Sequence, residues 1–194
     1  MRLVLASQSQ IRAKMLRQAG LRFEILPANV DETPIGPPLE RAASLAALKA
    51  ATISRQQKGA LVIGADQVGI LSNGVELQKP MDATQASAQI AQMSGNKHQF
   101  RSAVSVWRDG VEIQHCHEDA WVTFRELSPQ TLAWYVGTGE WQGCCGGYQI
   151  ENQGIQLVEK IEGSLMAIYG LPLVPLLDIL RGEGFLESSK GPSE

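Results

Sequence analysis

Arg2-Leu3-Val4-Leu5-Ala6-Ser7-Gln8-Ser9-Gln10-Ile11-Arg12 opens the chain and sets its architecture. The apolar residues Leu3, Val4 and Leu5 predict a short buried strand that stops at the polar turn Ser7, Gln8 and Ser9. Ser9 can cap a helix in which Ile11, Met15 and Ala19 share one face, and Gly20 can take the left-handed conformation that ends it. A strand turning through hydroxyls into a helix aims backbone N–H groups and the positive end of the helix dipole at one spot, which favours phosphate. Capping alone explains Ser9 equally well.

Outward from this unit, helices and strands alternate. Residues 23–26 predict a second strand, followed by a polar loop with Asp31, Glu32 and Thr33 and then a proline-rich stretch. Leu39, Ala43, Ala46, Ala50 and Ile53 form an apolar stripe at helical spacing, with Lys49 beside it. Residues 60–63 predict a buried strand with Gly64-Ala65-Asp66 at its carboxyl end, the side on which α/β sheets bind ligands. Asn73-Gly74 suits a hairpin turn between residues 68–71 and 75–77, and Lys79-Pro80 leaves it. Asp82 caps a helix carrying Ala86, Ile90 and Met93, and Gly95 ends it.

Asp109-Gly110 joins strands at 103–107 and 111–114, residues 120–124 continue the antiparallel part, and Ser128 starts a helix through Tyr135. Residues 155–158 predict a strand, and 173–180 a helix apolar on several sides. With no internal repeat, this is one α/β domain with a mixed sheet over residues 1–186, and a small polar tail, 187–194, expected to be disordered.

At 194 residues and 44% hydrophobic content, the chain can bury a substantial core. Seventeen Lys and Arg against twenty Asp and Glu leave no global positive field for a nucleic-acid polymer, while a small phosphorylated ligand needs only local cations. Three cysteines, two of them adjacent, fit a reduced, cytoplasmic protein. No leader opens the sequence, and its apolar runs are too short to span a bilayer, so no membrane partner is expected. His115, Cys116 and His117 alternate along a predicted strand and cannot converge on one metal. Cys144-Cys145 lacks the spacing of a redox pair, and no dinucleotide or Walker pattern occurs.

The charged groups at element ends form a second pattern: Arg12, Asp31-Glu32, Asp66 and Lys79, with Lys49 on a helix. A polyphosphate must be neutralised before water can reach phosphorus, which calls for lysines and arginines together with carboxylates that hold a divalent metal. Asp66, ending an apolar strand, is the side chain that most directly faces a crevice.

Leu5 to Arg12, Val30-Asp31-Glu32-Thr33, Lys49-Ala50, Ile63-Gly64-Ala65-Asp66-Gln67-Val68, Lys79-Pro80, Ser94-Gly95, Glu162-Gly163 and Gly170-Leu171-Pro172-Leu173 resemble, in order, the motifs of the Maf family of nucleotide pyrophosphatases. The resemblance runs from Arg2 to about Gly184. It implies an inosine-triphosphatase-like, two-lobed α/β fold with a central mixed, twisted sheet and a deep nucleotide cleft. It also implies a homodimer, a divalent cation (Mg²⁺ or Mn²⁺), and hydrolysis of nucleoside triphosphates to a monophosphate and diphosphate.

By the same resemblance, Ser7, Ser9, Arg12, Lys49 and Lys79 grip phosphates. Glu32 and Asp66 hold the metal, with Asp66 also the base for the attacking water, and Glu151 contacts the nucleobase or helps close the site. Gln67 after Asp66 and the Gly143-Cys144-Cys145-Gly146 loop resemble the 7-methyl-GTP branch. A non-catalytic nucleotide-binding regulator of cell division is the alternative that the same residues would serve.

Overall fold

The structure, a computed structural model, describes residues 1–188. Seven strands form one mixed sheet: β1 (Arg2–Leu5), β2 (Glu24–Ile25), β3 (Ala60–Leu71), β4 (Glu76–Leu77), β5 (Lys97–Arg108), β6 (Val111–Phe124) and β7 (Val158–Gly163), in the order β2-β1-β3-β5-β6-β7, with β4 also on β3. β1 lies parallel to β2 and β3, and every other pair is antiparallel. The helices are α1 (Gln10–Gln18), α2 (Pro38–Ser54), α3 (Ala83–Met93), α4 (Pro129–Gly137), α5 (Leu165–Ile168), α6 (Leu173–Gly182) and α7 (Phe185–Ser188). The expected α/β architecture with a central mixed sheet is what the chain builds.

Local chemistry accounts for most boundaries. Ser9, Asp82 and Ser128 accept backbone N–H groups at the starts of α1, α3 and α4. Asp109 and Gly110 both have positive φ, which matches a tight turn between right-twisted strands.

The core divides along the sheet. Leu5, Leu16, Leu61, Ile63, Leu176 and Leu180 fill the space between the parallel half, α1 and α6. Ile90, Phe100, Phe124, Tyr135, Tyr148 and Leu157 fill the antiparallel half under α3 and α4. These two cores at the two ends of one sheet give the two lobes, and two smaller clusters, around Ala50 and Val62 and around Ala46 and Val68, pack α2 onto it.

Several expectations are corrected. Residues 60–63 and 68–71 are not separate strands but one twelve-residue strand, so Asp66 lies mid-strand rather than at a strand end. Residues 103–107 and the two pieces at 111–114 and 120–124 likewise extend into β5 and the continuous β6. In both places the missed polar residues are held by ladder pairing rather than by apolar content. Only Glu24 and Ile25 of residues 23–26 pair as strand.

Residues 155–157 belong to a 3-10 turn, Gln153–Leu157, and the strand begins at Val158. The α2 stripe runs through Ala42, since Ala43 is exposed. α6 buries one face, Leu176, Ile179 and Leu180, and leaves Val174 in solvent. The polar tail expected from residue 187 enters α7 at its first two positions, and from 189 on it lies outside the described residues.

The strand break that matters lies along one edge of β3. β1 pairs with it as far as Ile63 and β4 from Gly69, while β5 occupies the whole opposite edge from Val62 to Leu71. Residues 64–68 therefore have no strand neighbour on the β1 side, and a crevice opens there. α2 crosses this segment so closely that a Cβ on Gly64 would overlap the Ala46 carbonyl oxygen and stand 2.7 Å from the Ala50 nitrogen.

These atoms are helix backbone and cannot swing away. Gly64→Ala is expected to cost about 3 kcal/mol by overpacking, read as a lowered urea midpoint. An unchanged midpoint would contradict this packing.

Candidate active site

Alternation along β3 sends Asp66 and Gln67 to opposite faces. Asp66 shares the α2 face with Gly64, and there the Lys49 ammonium donates to its Oδ1 at 2.7 Å. The same ammonium lies 2.8 Å from Oε1 of Glu32, in the loop before α2. Lys49 and Asp66 are buried, whereas the Glu32 side chain is half exposed. Burial raises the Glu32 pKa, but the hydrogen bond from Lys49 and the charges of Lys49, Lys79 and Arg12 outweigh it and hold the carboxyl below its ordinary value.

On the other face, Arg12 ties three segments together. Its Nη1 donates to Ser7 Oγ at 3.2 Å and to the Ala65 carbonyl at 2.8 Å, and its Nε donates to the Gly170 carbonyl at 2.8 Å. The Ala65 carbonyl belongs to the stretch of β3 without a strand partner, so the guanidinium satisfies an acceptor that the sheet leaves open. Among the described residues no acceptor meets the two hydrogens on Nη2, which leaves them able to bind an anion. Burial draws the Arg12 pKa down, against the charges of Asp66 and Glu32. Ser9 Oγ accepts the Arg12 backbone N–H, so Ser9 is a cap as well as a wall of the crevice.

Ser7, Ser9, Arg12, Glu32, Lys49, Asp66, Lys79 and Glu151 all line one cleft of about 670 Å³. All eight predicted site residues are thus brought together, with Glu151 on the far wall. Burial first, then the Glu151 charge, pushes the Tyr169 hydroxyl up, and both residues line the cleft.

Other cleft residues have no site role assigned by sequence. Gln67 donates to the Ala167 and Ile168 carbonyls at 2.8 Å each, fixing its amide in the cleft wall. Phe100, Cys145, Tyr148, Gln149 and Tyr169 also line the cleft. Gln67 and Cys145 stand in motifs already quoted; the others come from distant elements and carry no local signal.

Cys144 and Cys145 do not act as a pair. Cys144 Sγ points to the Glu140 and Trp141 carbonyls and Cys145 Sγ to the Leu77 carbonyl, and burial pushes both thiols up to about 12.

Glu32 and Asp66 meet at one ammonium, so their oxygens converge on a point that a hard cation with oxygen ligands could share. Mg²⁺ takes one or two carboxylates and completes its shell with phosphate and water oxygens. Among the described residues no cluster of three or more His, Cys, Asp or Glu forms a cage. The site therefore fits a cation that arrives with its phosphates better than one held by protein alone.

The sequence model of the family described as Maf-like protein matches residues 2–183. The chain belongs to the Maf family. Maf relatives align over nearly their full lengths. A nucleoside triphosphate pyrophosphatase from Rhodopseudomonas palustris (strain BisB5) is 40% identical, covering 95% of both chains. A 7-methyl-GTP pyrophosphatase from Brucella abortus is also 40% identical, over 94% of this chain and 96% of its own. A dTTP/UTP pyrophosphatase from Pelotomaculum thermopropionicum is 38% identical, over 94% and 97%.

The far wall of this Maf cleft is tacked to the sheet by a buried pair, His98 Nε2 and the Tyr148 hydroxyl, 2.7 Å apart among Phe100 and Phe124. Among the described residues His98 Nδ1 has no hydrogen-bond partner, and burial lowers the imidazole pKa to about 4 from 6.5. In that window the unfolded chain takes up a proton that the folded one refuses. Stability present above 6.5 is therefore lost as pH falls towards about 4. Thermal melts of His98→Asn over this range are expected to fall less steeply with acid than those of the parent; equal slopes would mean that His98 is not buried in its neutral form.

Proposed function

We propose that this chain hydrolyses nucleoside triphosphates between the α and β phosphates, releasing a monophosphate and diphosphate. One observation carries it: a buried lysine shared by two carboxylates, with Arg12 and Lys79 lining the same nucleotide-sized cleft. A binding protein needs the cations; the paired carboxylates among them are what hydrolysis adds.

In this mechanism the triphosphate lies along Ser7, Ser9 and the start of α1, where N–H groups and hydroxyls meet phosphate oxygens. A water oxygen attacks the α-phosphorus in line, and its proton passes to the Asp66 carboxylate. The bond from α-phosphorus to the bridging oxygen breaks, and diphosphate leaves against Arg12, Lys49 and Lys79. Glu32 and Asp66 would hold a divalent cation, Mg²⁺ or Mn²⁺, which when bound supplies further charge neutralisation and polarises phosphate. Lys49 turns from its carboxylates to the phosphates as these arrive. Most of the acceleration is positioning and charge compensation.

The base lies at the Glu151 wall, and its chemistry favours guanine. A carboxylate accepts from two adjacent N–H donors, which the guanine edge offers and uracil or thymine does not. The positive charge of a 7-methylated guanine would strengthen the match, so we assign the chain to the 7-methyl-GTP type. Names of relatives at 38–40% identity span several substrates and do not choose among them.

Asp66→Asn should leave the fold intact and reduce kcat by at least about a thousandfold, the upper part of what a positioned base contributes. The assay is a nucleotide panel scored for phosphate with and without added inorganic pyrophosphatase. Signal only with the added enzyme is expected, and phosphate released without it would refute cleavage at the α-phosphorus. Glu32→Gln should move the Mg²⁺ or Mn²⁺ titration to higher concentration; an unmoved midpoint would remove Glu32 from the metal.

A further inference from the structure

Glu140 lies outside the cleft, yet it gathers the backbone that presents Glu151. Its carboxylate accepts three N–H donors: the Gln153 backbone at 3.2 Å, the Gln153 side chain at 3.0 Å and the Gly154 backbone at 3.2 Å. Its own carbonyl accepts the Gln149 side chain at 2.9 Å.

Between these anchors, Gln149-Ile150-Glu151-Asn152 forms a turn closed by the Asn152 N–H on the Gln149 carbonyl, and by the Asn152 amide on Gln149 Oε1 at 2.7 Å. Ile150 is sunk in the second core, and the Gln149 N–H donates to the buried Tyr135 hydroxyl at 3.0 Å. Gly154 completes the fit, since a Cβ there would stand 2.5 Å from the Gln149 carbonyl oxygen. Glu151 is exposed at the tip of a turn whose base is fastened on every side.

We infer that Glu140 is a positioning residue for nucleobase selection: it fixes the 149–154 turn so that the Glu151 carboxylate meets the base edge in one orientation. This rests on the proposed contact between Glu151 and the base. A carboxylate suits position 140, because three N–H donors and the Tyr135 hydroxyl all face its oxygens. Glutamine would bring two N–H groups against a backbone that also donates, and aspartate would be a methylene short. The phosphate half of the cleft stands on α1, α2, β3 and the loops that carry Ser7, Glu32 and Lys79, and among the described residues the Glu140 carboxylate accepts no hydrogen bond from any of them. Its loss should therefore alter base preference and spare the chemical step.

The test is a double-mutant cycle of Glu140→Gln and Glu151→Gln, assayed with GTP, 7-methyl-GTP and UTP by pyrophosphatase-coupled phosphate release. Glu140→Gln should raise KM for the two guanine nucleotides about tenfold, the scale of one lost charge-assisted hydrogen bond. It should leave kcat and the UTP KM close to the parent values. In the Glu151→Gln background the same change should have no further effect, because Glu140 acts through Glu151.

Equal effects in both backgrounds, or a uniform fall in kcat on all three substrates, would overturn the inference. If Glu151→Gln alone leaves the substrate ranking unchanged, the base contact itself is wrong, and that single variant reveals it separately from the cycle. Should Glu140→Gln fail to fold, Gly154→Ala displaces the same turn from its other side. It must then give the same selectivity loss at parental kcat, and parental selectivity would overturn the inference.

Discussion

The site depends on one lysine between two carboxylates. Like charges at close range repel, so Glu32 and Asp66, both facing one cleft, call for a cation between them. Lys49 supplies it at 2.7 and 2.8 Å. Its ammonium reaches that point because Gly64 lets α2 lie against β3 one residue pair away from Asp66. A packing feature with no chemistry of its own thus sets the electrostatics of the cleft.

The same strand explains why a cleft exists. A central strand ordinarily has partners on both edges, and β3 lacks one over residues 64–68. Its open carbonyl at Ala65 must be satisfied, and Arg12 does so while also holding Ser7 and the Gly170 turn. Arg12 is therefore part of the scaffold as well as the phosphate ligand we propose. Removing it would open the joint between α1, β3 and the turn before α6, so loss of activity alone in such a variant would say little about phosphate binding.

Much of this was legible in sequence, for reasons that differ by residue. Ser9, Asp82 and Ser128 announce helix starts because a cap is a local hydrogen bond. Asn73-Gly74 and Asp109-Gly110 announce turns because positive φ is a local constraint. Gly64, Asp66 and Gln67 break the apolar run of β3, so sequence alone predicts two strands there. What carries the strand through them is pairing with β5, some forty residues away, which no window of sequence contains. Residues 155–158 predict a strand for the reverse reason: Ile155 and Leu157 are apolar but serve a turn held by Glu140 and not a ladder, which begins only at Val158. Order along the chain, matched to a known family, gathered the eight site residues. The chemistry of each alone did not, because an isolated surface charge looks the same whether or not it faces a substrate.

The two walls of the cleft obey different constraints. Arg12, Lys49 and Asp66 project from strands and helices whose positions are fixed by the cores, and phosphates are the same in every nucleoside triphosphate. Glu151 projects from a turn held by Glu140, Tyr135 and Ile150, so it can be re-aimed or exchanged without disturbing the sheet. A fold that separates the two in this way can keep one hydrolytic centre while its base preference drifts. Relatives of nearly equal identity that carry the names of different nucleotides are what such a separation leads one to expect. Overall identity therefore does not choose among the substrates that those names carry, and the base contact proposed for Glu151 is where they would be told apart.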